Sequence, residues 1–358
     1  MRLAYQATRK RPDQGKPRKS KSPRWARLCL VAGIAIVVLA GGGYAAANVV
    51  VNHYASEVKS DNLLGGVPQN ERASLPPSGA PVTGPLNILL LGSDNADNSR
   101  AKSQGVDGQR SDSIILFHID KDFKKVYAFS IERDSYVRIP AGGSWGGGKN
   151  KINAALQYGG PSLTVRTVQN LLDIKIPYVA VVSFAALIKS VDAVGGVDVY
   201  VDKTTYDNQF KRTWTKGMHH LNGTDAQFYV RQRHGLAGGD YDRMKRQQQL
   251  IRALFKKATS AGVLTNPFKL NDLVTAVAAS VKVSDGMPVK DLAFAARGLS
   301  LDAVTFSTMP MAGTLKIDGT DYEQVSTSGA EALGKAINAD DFTAYFKRYP
   351  PNNASHGL

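Results

Sequence analysis

An uncharged apolar segment near the N-terminus constrains this chain more than any other feature. Residues 28–51 contain no charged side chain, and these 24 residues exceed the roughly 20 that an α-helix needs to cross a bilayer. Residues 1–27 precede the segment with ten lysines or arginines and one acidic residue, Asp13. Because basic residues flank the cytoplasmic end of membrane helices, we predict a single-pass protein of the plasma membrane. Its N-terminus would be cytoplasmic and its remaining residues extracytoplasmic.

A cleaved signal peptide is the alternative interpretation of the same segment, because Ala45-Ala46-Ala47 resembles a small-residue cleavage site. Two features favour a retained anchor: the basic region is long for a signal peptide, and the apolar run continues to Val51. The single cysteine, Cys29, lies inside this run, so disulfide bonds within the chain are excluded.

The net charge of +15 lies mostly in the N-terminal segment, because the residues after it carry 35 basic and 29 acidic side chains. A basic tail rich in proline and serine is typical of disordered segments that touch anionic lipid. We therefore predict no nucleic-acid partner. A transcription factor is the weakest candidate, since only about 27 residues face the cytoplasm under this topology.

Composition divides the extracytoplasmic part into a stalk and a folded domain. Residues 52–85 are rich in glycine and proline, which indicates a stalk, and residues 86–358 are predicted to form the domain. Apolar runs predict strands at 87–91, 113–119, 125–131, 178–182 and 197–201, and helices at 152–172, 184–191 and 240–257. The first of these helices is predicted to be broken at Gly159-Gly160-Pro161. Since strands and helices alternate, we predict an α/β fold: a three-layer α-β-α domain with a central mixed sheet, preceded by one transmembrane helix.

Charged residues stand at the ends of the predicted strands. Asp94 follows the first strand. Arg110 and Asp112 precede the second strand, and the third ends at Arg133 and Asp134. Ligand clefts of α/β sheets lie at strand ends, so we expect these side chains to converge if the strands are neighbours.

Two further arginines, Arg231 and Arg233, are separated by one residue. In an extended segment they would share a face, whereas on a helix they would diverge. Thr224 and Gln227 form a capping-box pattern at the start of the preceding helix. We therefore predict that the chain leaves that helix near Tyr229 and presents both arginines together.

The helix predicted to begin near Asp242 carries polar residues on its apolar face. Arg243 and Gln247 fall on the stripe that continues with Leu250 and Leu254. Helix N-termini favour anions. The pattern therefore predicts a phosphate near Arg243 and Gln247.

This set of arginines and aspartates indicates pyrophosphate chemistry. Arginine forks match phosphate oxygens, and paired carboxylates suit magnesium, which often bridges to substrate phosphates. Each residue also has a structural alternative: a strand-end aspartate can cap a turn, and the arginines can pair with the aspartates.

The order of the motifs resembles that of the LytR-CpsA-Psr family over about residues 87–258. The matching segments are Leu-Leu-Leu-Gly-Ser-Asp94, Arg110-Ser-Asp112, Ser130-Ile-Glu-Arg-Asp134, Lys151-Ile-Asn153, Val191-Asp-Ala-Val-Gly-Gly-Val197, Leu221-Asn-Gly223, Tyr229-Val-Arg-Gln-Arg233, Asp242-Arg243 and Arg246-Gln-Gln248.

The resemblance implies a membrane-anchored enzyme with an extracytoplasmic α/β domain. Such an enzyme transfers a glycan phosphate from a polyprenyl-pyrophosphate carrier to a peptidoglycan hydroxyl and releases polyprenyl phosphate. By position, Asp94 and Asp112 look like ligands of Mg²⁺, with Mn²⁺ as the alternative ion. The phosphate-binding residues that the resemblance implies are Arg110, Arg133, Arg231, Arg233, Arg243 and Gln247, and those expected to act in catalysis are Arg110, Asp112, Arg133, Arg231 and Arg233.

Two positions depart from the family pattern. Glu132 stands where the family usually has proline, which would place a negative charge beside Arg133. Arg100 lies six residues beyond Asp94, whereas the family commonly has an arginine directly after this aspartate. Two other activities remain alternatives: a pyrophosphatase that releases lipid phosphate to water, and a lipid-glycan-binding or regulatory protein without catalysis.

Overall fold

The predicted apolar runs form the middle of a β-sheet in the computed structural model of the chain. The structure describes residues 59–75, 84–93, 111–258, 260, 272, 275–276, 281–289, 291–292 and 303–351. The predicted tail and the predicted span at 28–51 lie outside these residues. Within the described part, no helix has both the length and the apolar character needed to cross a bilayer.

The secondary-structure elements alternate much as the sequence predicts. The strands of the described part are β1 (Lys59–Asp61), β2 (Leu86–Ser93), β3 (Ser111–Ile119), β4 (Val126–Ile131), β5 (Tyr136–Ile139), β6 (Gly148–Lys151), β7 (Tyr178–Ser183), β8 (Val197–Val201), β9 (Thr205–Asp207), β10 (Arg212–Trp214), β11 (Gly217–Leu221), β12 (Val281–Ser284), β13 (Val304–Thr308), β14 (Met311–Ile317) and β15 (Thr320–Val325). The α-helices with both ends described are α1 (Ala154–Leu172), α2 (Phe184–Ala193), α3 (Gly223–Arg231), α4 (Asp240–Ala258), α5 (Thr327–Ala339) and α6 (Thr343–Arg348).

A mixed sheet of seven described strands forms the centre of the domain, in the order β1-β12-β7-β2-β3-β4-β13. Its middle strand β2 pairs parallel with β7 and antiparallel with β3. Ile88 and Leu89 point to opposite faces of β2, and both are buried. A strand covered on both faces requires a continuous apolar run. The prediction of an α/β domain with a central mixed sheet is therefore confirmed.

Helices supply the layers on either side of the sheet. On one face, Leu163 of α1 and Leu333 of α5 belong to the same buried cluster as Leu89. On the opposite face, Ile251 of α4 packs against the cluster that contains Ile115. This places α4 across the sheet face where the predicted charged strand ends lie.

Part of the segment predicted as a stalk is built into the fold. β1 pairs in parallel with the edge strand β12. The Glu71 carboxylate accepts hydrogen bonds from Arg166 Nε at 2.7 Å and Arg166 Nη2 at 3.0 Å, on α1. These contacts are polar and join residues that are distant in the chain, so the composition of the segment does not reveal them.

The C-terminal residues complete the domain. β13 extends the sheet beside β4, and Phe342 stacks on Phe129 at a centroid distance of 5.5 Å. The buried ring of His118 contacts Asp340 through Nε2 at 2.9 Å and Asn87 through Nδ1 at 2.8 Å. These contacts give the ring of His118 a structural role, joining β3 to β2 and to the end of α5.

Candidate functional site

The first turns of α4 lie over the ends of β3 and β4. The side-chain amide of Gln248 fastens the helix there, since its Nε2 donates to Ser130 Oγ at 2.7 Å and to the Ser307 carbonyl at 3.2 Å. Arg243 and Gln247 consequently face the sheet, with 3% and 6% of their surface exposed. The predicted inward orientation of these two residues is confirmed. The site between helix and strands is lined by Ser113, Ile114, Ser130, Ile131, Glu132, Arg133, Arg243, Met244 and Gln247.

Asp240, the first residue of α4, joins three of the predicted arginines. Its Oδ2 lies 2.5 Å from Arg243 Nη2 and 3.7 Å from Arg133 Nε, while its Oδ1 lies 3.4 Å from Arg233 Nε. One carboxylate therefore joins the end of β4, the segment after α3 and the start of α4. We call Arg133, Arg233, Arg243 and Asp240 the arginine cluster.

Sequence reasoning missed Asp240. The spacing of Asp240 and Arg243 is the i, i+3 spacing of an ion pair on a helix. Acidic residues are also common in the first helical turn. Both signals were present in the sequence, but neither distinguishes a residue that neutralises three guanidinium groups from an ordinary helix cap.

The prediction that the chain leaves α3 near Tyr229 is wrong. The helix is capped by Asn222, whose side chain accepts from Asp225 N, and it continues to Arg231. Gln232 is fully buried and extended, and its Oε1 accepts from Arg246 Nη1 at 2.5 Å. Because this contact fixes Gln232, Arg231 closes the helix and Arg233 begins the extended segment that reaches Asp240.

Arg246 is therefore a structural anchor rather than a surface cation. Its guanidinium stacks over the ring of Tyr229 at 4.3 Å and donates to Thr205 Oγ1 at 2.9 Å. Burial lowers the pKa of Arg246, as expected for a cation removed from water. Its contacts hold Gln232, and thereby Arg233, in place.

Glu132 does not add the negative charge that its position predicts. The side chain is 1% exposed, and it hydrogen-bonds to Asp240. Burial, followed by the nearby charge of Asp240, raises the pKa of Glu132 to about 8. The carboxyl group is thus mainly protonated at neutral pH, since a charged form would be desolvated beside another carboxylate.

The second acidic residue at this strand end, Asp134, is held by a lysine. Lys151 Nζ lies 3.3 Å from Asp134 Oδ1, and Arg133 Nε lies 3.8 Å from Asp134 Oδ2. The backbone carbonyl of Asp134 accepts from Glu323 N at 3.0 Å, which links it to β15. Lys151 belongs to one of the segments that carry the family resemblance.

Arg243 is the buried member of the arginine cluster, and it already faces an anion, Asp240. Burial is the main influence on the pKa of Arg243 and lowers it, while the charge of Asp240 counteracts this effect. Buried cations are tolerated only when they are paired. A phosphate that enters the site would supply oxygen acceptors to groups already oriented toward a carboxylate.

The side-chain contacts of three predicted site residues are not described by the structure. Asp94 and Arg110 lie outside the described residues, as does the side chain of Asp112. Among the described residues, no group of three or more His, Cys, Asp or Glu side chains is arranged to hold a metal ion.

Comparison with known sequences gives a consistent family match. Residues 45–339 match the model of the LytR_cpsA_psr family. The chain is 30% identical to the cell wall biosynthesis protein LcpA of Corynebacterium glutamicum, over 74% of this chain and 58% of LcpA. It is 36% identical to the polyisoprenyl-teichoic acid–peptidoglycan teichoic acid transferase TagU of Bacillus cereus, over 56% of this chain and 60% of TagU. The chain thus spans about three fifths of the length of each of these relatives.

Solved structures show the same architecture. A crystal structure of protein gbs0355 from Streptococcus agalactiae superposes with a TM-score of 0.61 at 27% identity, covering 72% of this chain and 88% of that chain. The crystal structure of Bacillus subtilis TagV gives a TM-score of 0.58 at 28% identity, covering 72% and 97%. A structure of TagT bound to LI-WTA gives 0.57 at 25% identity, covering 77% and 98%.

Proposed function

The chain belongs to the LytR_cpsA_psr family, and from this premise we propose that it is a phosphotransferase of cell-wall assembly. It would move a glycan phosphate from a polyprenyl-pyrophosphate carrier onto peptidoglycan and release polyprenyl phosphate. TagU carries a transferase name of this kind and is 36% identical over the matched region. The name of LcpA gives no polymer and the name of TagU gives teichoic acid, so the proposal concerns the reaction type and the carrier.

The observation that carries the proposal is the convergence of Arg133, Arg233 and Arg243 on a single carboxylate. Phosphoryl transfer depends mainly on positioning and on neutralising charge, rather than on a protein nucleophile. Guanidinium groups that already pair with carboxylate oxygens can also pair with phosphate oxygens. The pyrophosphate of the donor supplies such oxygens.

In the proposed reaction, each arginine donates hydrogen bonds to a different phosphate oxygen of the donor. Arg110, Arg133, Arg231, Arg233 and Arg243 bind the pyrophosphate, and Gln247 donates an amide hydrogen beside them. These contacts orient the donor and hold the two phosphates apart from water. They also stabilise the charge that develops on the leaving phosphate.

Asp94 and Asp112 are proposed to hold Mg²⁺, or Mn²⁺ in its place, because carboxylate oxygens are the ligands that these ions prefer. When bound, the ion would neutralise part of the pyrophosphate charge. The support for this assignment is the pair of sequence motifs, Leu-Leu-Leu-Gly-Ser-Asp94 and Arg110-Ser-Asp112, that carry these aspartates.

The proposed step is an attack by an acceptor hydroxyl oxygen on the phosphorus that carries the glycan. A new phosphorus–oxygen bond joins glycan and acceptor, and the bond to polyprenyl phosphate breaks. The hydroxyl proton passes to a carboxylate, for which Asp94, Asp112 and Asp134 are the candidates. Asp134 is the one of these whose contacts are described, and its pairing with Lys151 makes it less available as a base.

The protein would act at the outer face of the plasma membrane. A lipid-linked donor lies in the membrane, and the uncharged run at 28–51 would anchor the domain beside it. The basic residues before the run would keep the N-terminus in the cytoplasm. Peptidoglycan would then be on the same side as the folded domain.

The test uses the full-length chain in detergent micelles with a synthetic polyprenyl-pyrophosphate glycan, Mg²⁺ and peptidoglycan fragments. Mass spectrometry should detect a glycan phosphate joined to the fragment. EDTA should abolish it, and Arg233→Gln should lower the rate by roughly 100-fold. Arg348→Gln, at an exposed position of α6, is the matched control and should leave the rate unchanged.

The other outcomes separate the alternative activities. Free glycan phosphate formed equally with and without peptidoglycan would identify a pyrophosphatase. Unchanged donor that copurifies with the chain, under every metal tried, would identify a lipid-glycan-binding protein. Either result would refute the transferase.

A further inference from the structure

A basic and aromatic surface lies on the outward face of the strands β5 and β6. Tyr136 of β5 is the register partner of Lys151 of β6. Two residues further along β5, Arg138 is the register partner of Lys149. Register partners point to the same face of a sheet, and so do alternate residues of one strand. The four side chains therefore share one face, while Val137 on the opposite face is buried in the core.

The neighbouring strand β15 adds a second tyrosine to this face. A bridge between Ser135 and Glu323 places β15 beside the start of β5. The ring of Tyr322 meets that of Tyr136 edge-on, with 4.8 Å between the centroids. Glu323, the next residue of β15, points to the opposite face, where its Oε2 accepts from Tyr241 OH at 2.7 Å. The carboxylate of Glu323 is thus outside the surface formed by the two tyrosines.

Direct side-chain contacts connect this face to the arginine cluster. Asp134 lies between the two, since its Oδ2 is 3.8 Å from Arg133 Nε and its Oδ1 is 3.3 Å from Lys151 Nζ. The same Lys151 Nζ lies 5.4 Å from the ring centroid of Tyr322. The surface from Arg133 to Tyr322 is therefore made of adjoining side chains, and it runs beside β5 rather than across α4.

Two cations of the face have no carboxylate of their own. Lys151 is offset by Asp134, but Arg138 and Lys149 are exposed and form no ion pair with an acidic residue of the described part. Lys149 Nζ lies 5.7 Å from the ring centroid of Tyr136, within the range of a cation–π contact. This contact restricts the lysine without neutralising it. The face therefore keeps the two positive charges of Arg138 and Lys149.

This combination of groups suits an anionic glycan. Tyr136 and Tyr322 are half-buried, and a tyrosine offers both an apolar ring and a polar hydroxyl. Sugar rings present apolar C–H faces and hydroxyl groups, which match such surfaces. Phosphate or carboxylate groups on the same glycan would pair with Arg138 and Lys149. An uncharged polyprenyl chain would gain nothing from these exposed cations.

We propose that this face binds the donor glycan beyond its first sugar, and that the glycan is a polyanion with phosphodiester or carboxylate groups. The inference rests on the proposed function and deepens it, because it assigns the charge class of the polymer and the course of its chain. The glycan is bonded to the phosphate that the arginine cluster would hold, so it leaves the site along an adjoining surface. Arg138 lies roughly 7 Å beyond Tyr136 along β5, so a donor with a single sugar would end before it.

The test compares three polyprenyl-pyrophosphate donors that differ in length and charge. One carries a single sugar, one is extended by phosphodiester-linked repeats, and one is extended to the same length by neutral sugars. The double variant Arg138→Gln/Lys149→Gln removes the two unpaired cations. Lys124→Gln/Lys125→Gln removes the same charge from two exposed positions between β3 and β4, at the opposite end of the sheet, and is the matched control. For each chain, full length and in detergent, the KM of every donor and the KM of the peptidoglycan fragments are measured.

The double variant should raise the KM of the phosphodiester donor by roughly tenfold, because two exposed charge pairs are lost. Its KM for the single-sugar and neutral donors and its melting temperature should stay unchanged, and the control should match the wild type with all three donors.

Four results would overturn the proposal. The first is an unchanged KM for the phosphodiester donor in the double variant, and the second is an equal rise for the neutral donor. A rise confined to the KM of the peptidoglycan fragments would assign the face to the acceptor. Weaker flotation of the double variant with phosphatidylglycerol vesicles, at unchanged KM for every donor, would assign the face to the membrane surface.

Binding of free poly(glycerol phosphate), measured by calorimetry without a lipid carrier, keeps the inference separate from the proposed function. If the wild type makes no transfer product with any donor, the proposed function fails. The assignment of the face would still stand if the wild type and the control bind the polymer and the double variant does not. Equal binding by all three chains, or by none, would refute it.

Discussion

The clearest consequence of the structure is that Glu132 destabilises the domain at neutral pH. Its pKa rises from 4.5 to about 8 on folding. The folded state therefore holds a proton that the unfolded state has lost, and stability falls as pH rises between these two values. Glu132→Gln replaces the protonated carboxyl by a neutral group of the same shape, and so removes this dependence.

The magnitude follows from the shift itself. At about 1.36 kcal/mol per pKa unit, the full effect above pH 8 is about 5 kcal/mol, and at pH 7 it is about 3 kcal/mol. Near pH 5 it is about 1 kcal/mol, because the unfolded carboxyl is then partly protonated. Glu132→Gln should therefore gain stability over the wild type as the pH rises, and the gain should level off above pH 8.

The assay is thermal unfolding of both chains at pH values from 5 to 9, with denaturant titration at pH 5, 7 and 8.5. A gain of about 3 kcal/mol corresponds to roughly 5–10 °C in melting temperature for a domain of this size. Glu331→Gln, at an exposed position of α5, is the control, and its difference from wild type should not vary with pH. A constant difference between Glu132→Gln and wild type across this range would refute the reasoning.

Three further predictions concern individual contacts, two around the arginine cluster and one between Glu71 and α1. Asp240→Asn should lower the melting temperature and enlarge its rise on adding inorganic pyrophosphate, because the guanidinium groups lose their counter-ion. Arg246→Met should release Gln232, which raises the donor KM and costs about 3 kcal/mol by denaturant titration. Glu71→Gln should cost about 1 kcal/mol, since its ion pair with Arg166 is partly exposed; an unchanged denaturation midpoint would contradict it.

The parts of the fold that the sequence predicted share a strong local signal. The uninterrupted apolar run at 87–91 predicted the middle strand, because only a strand covered on both faces needs it. Gly159-Gly160 predicted the break inside α1, and the backbone leaves the helical region at these two residues. The apolar stripe of α4 placed Arg243 and Gln247 on its inward face.

The parts that the sequence did not predict depend on partners that are distant in the chain. β1 is a polar strand of three residues, and it exists because β12 offers it a free edge. The end of α3 is set by Arg246, which binds Gln232 from another helix. The charge state of Glu132 likewise depends on Asp240, more than 100 residues later. Local patterns in the sequence do not predict contacts between residues that are so far apart in the chain.

The neutral state of Glu132 also bears on what the arginine cluster can bind. Asp240 offsets one of the three guanidinium charges, and Asp134 is offset by Lys151. The arginine cluster itself therefore carries a net charge of about +2 while Glu132 keeps its proton. A pyrophosphate linked at both ends carries about two ionised oxygens, so the charges match near neutral pH. Ionisation of Glu132 would halve the net charge, and donor affinity should therefore weaken above pH 8 in the wild type but not in Glu132→Gln.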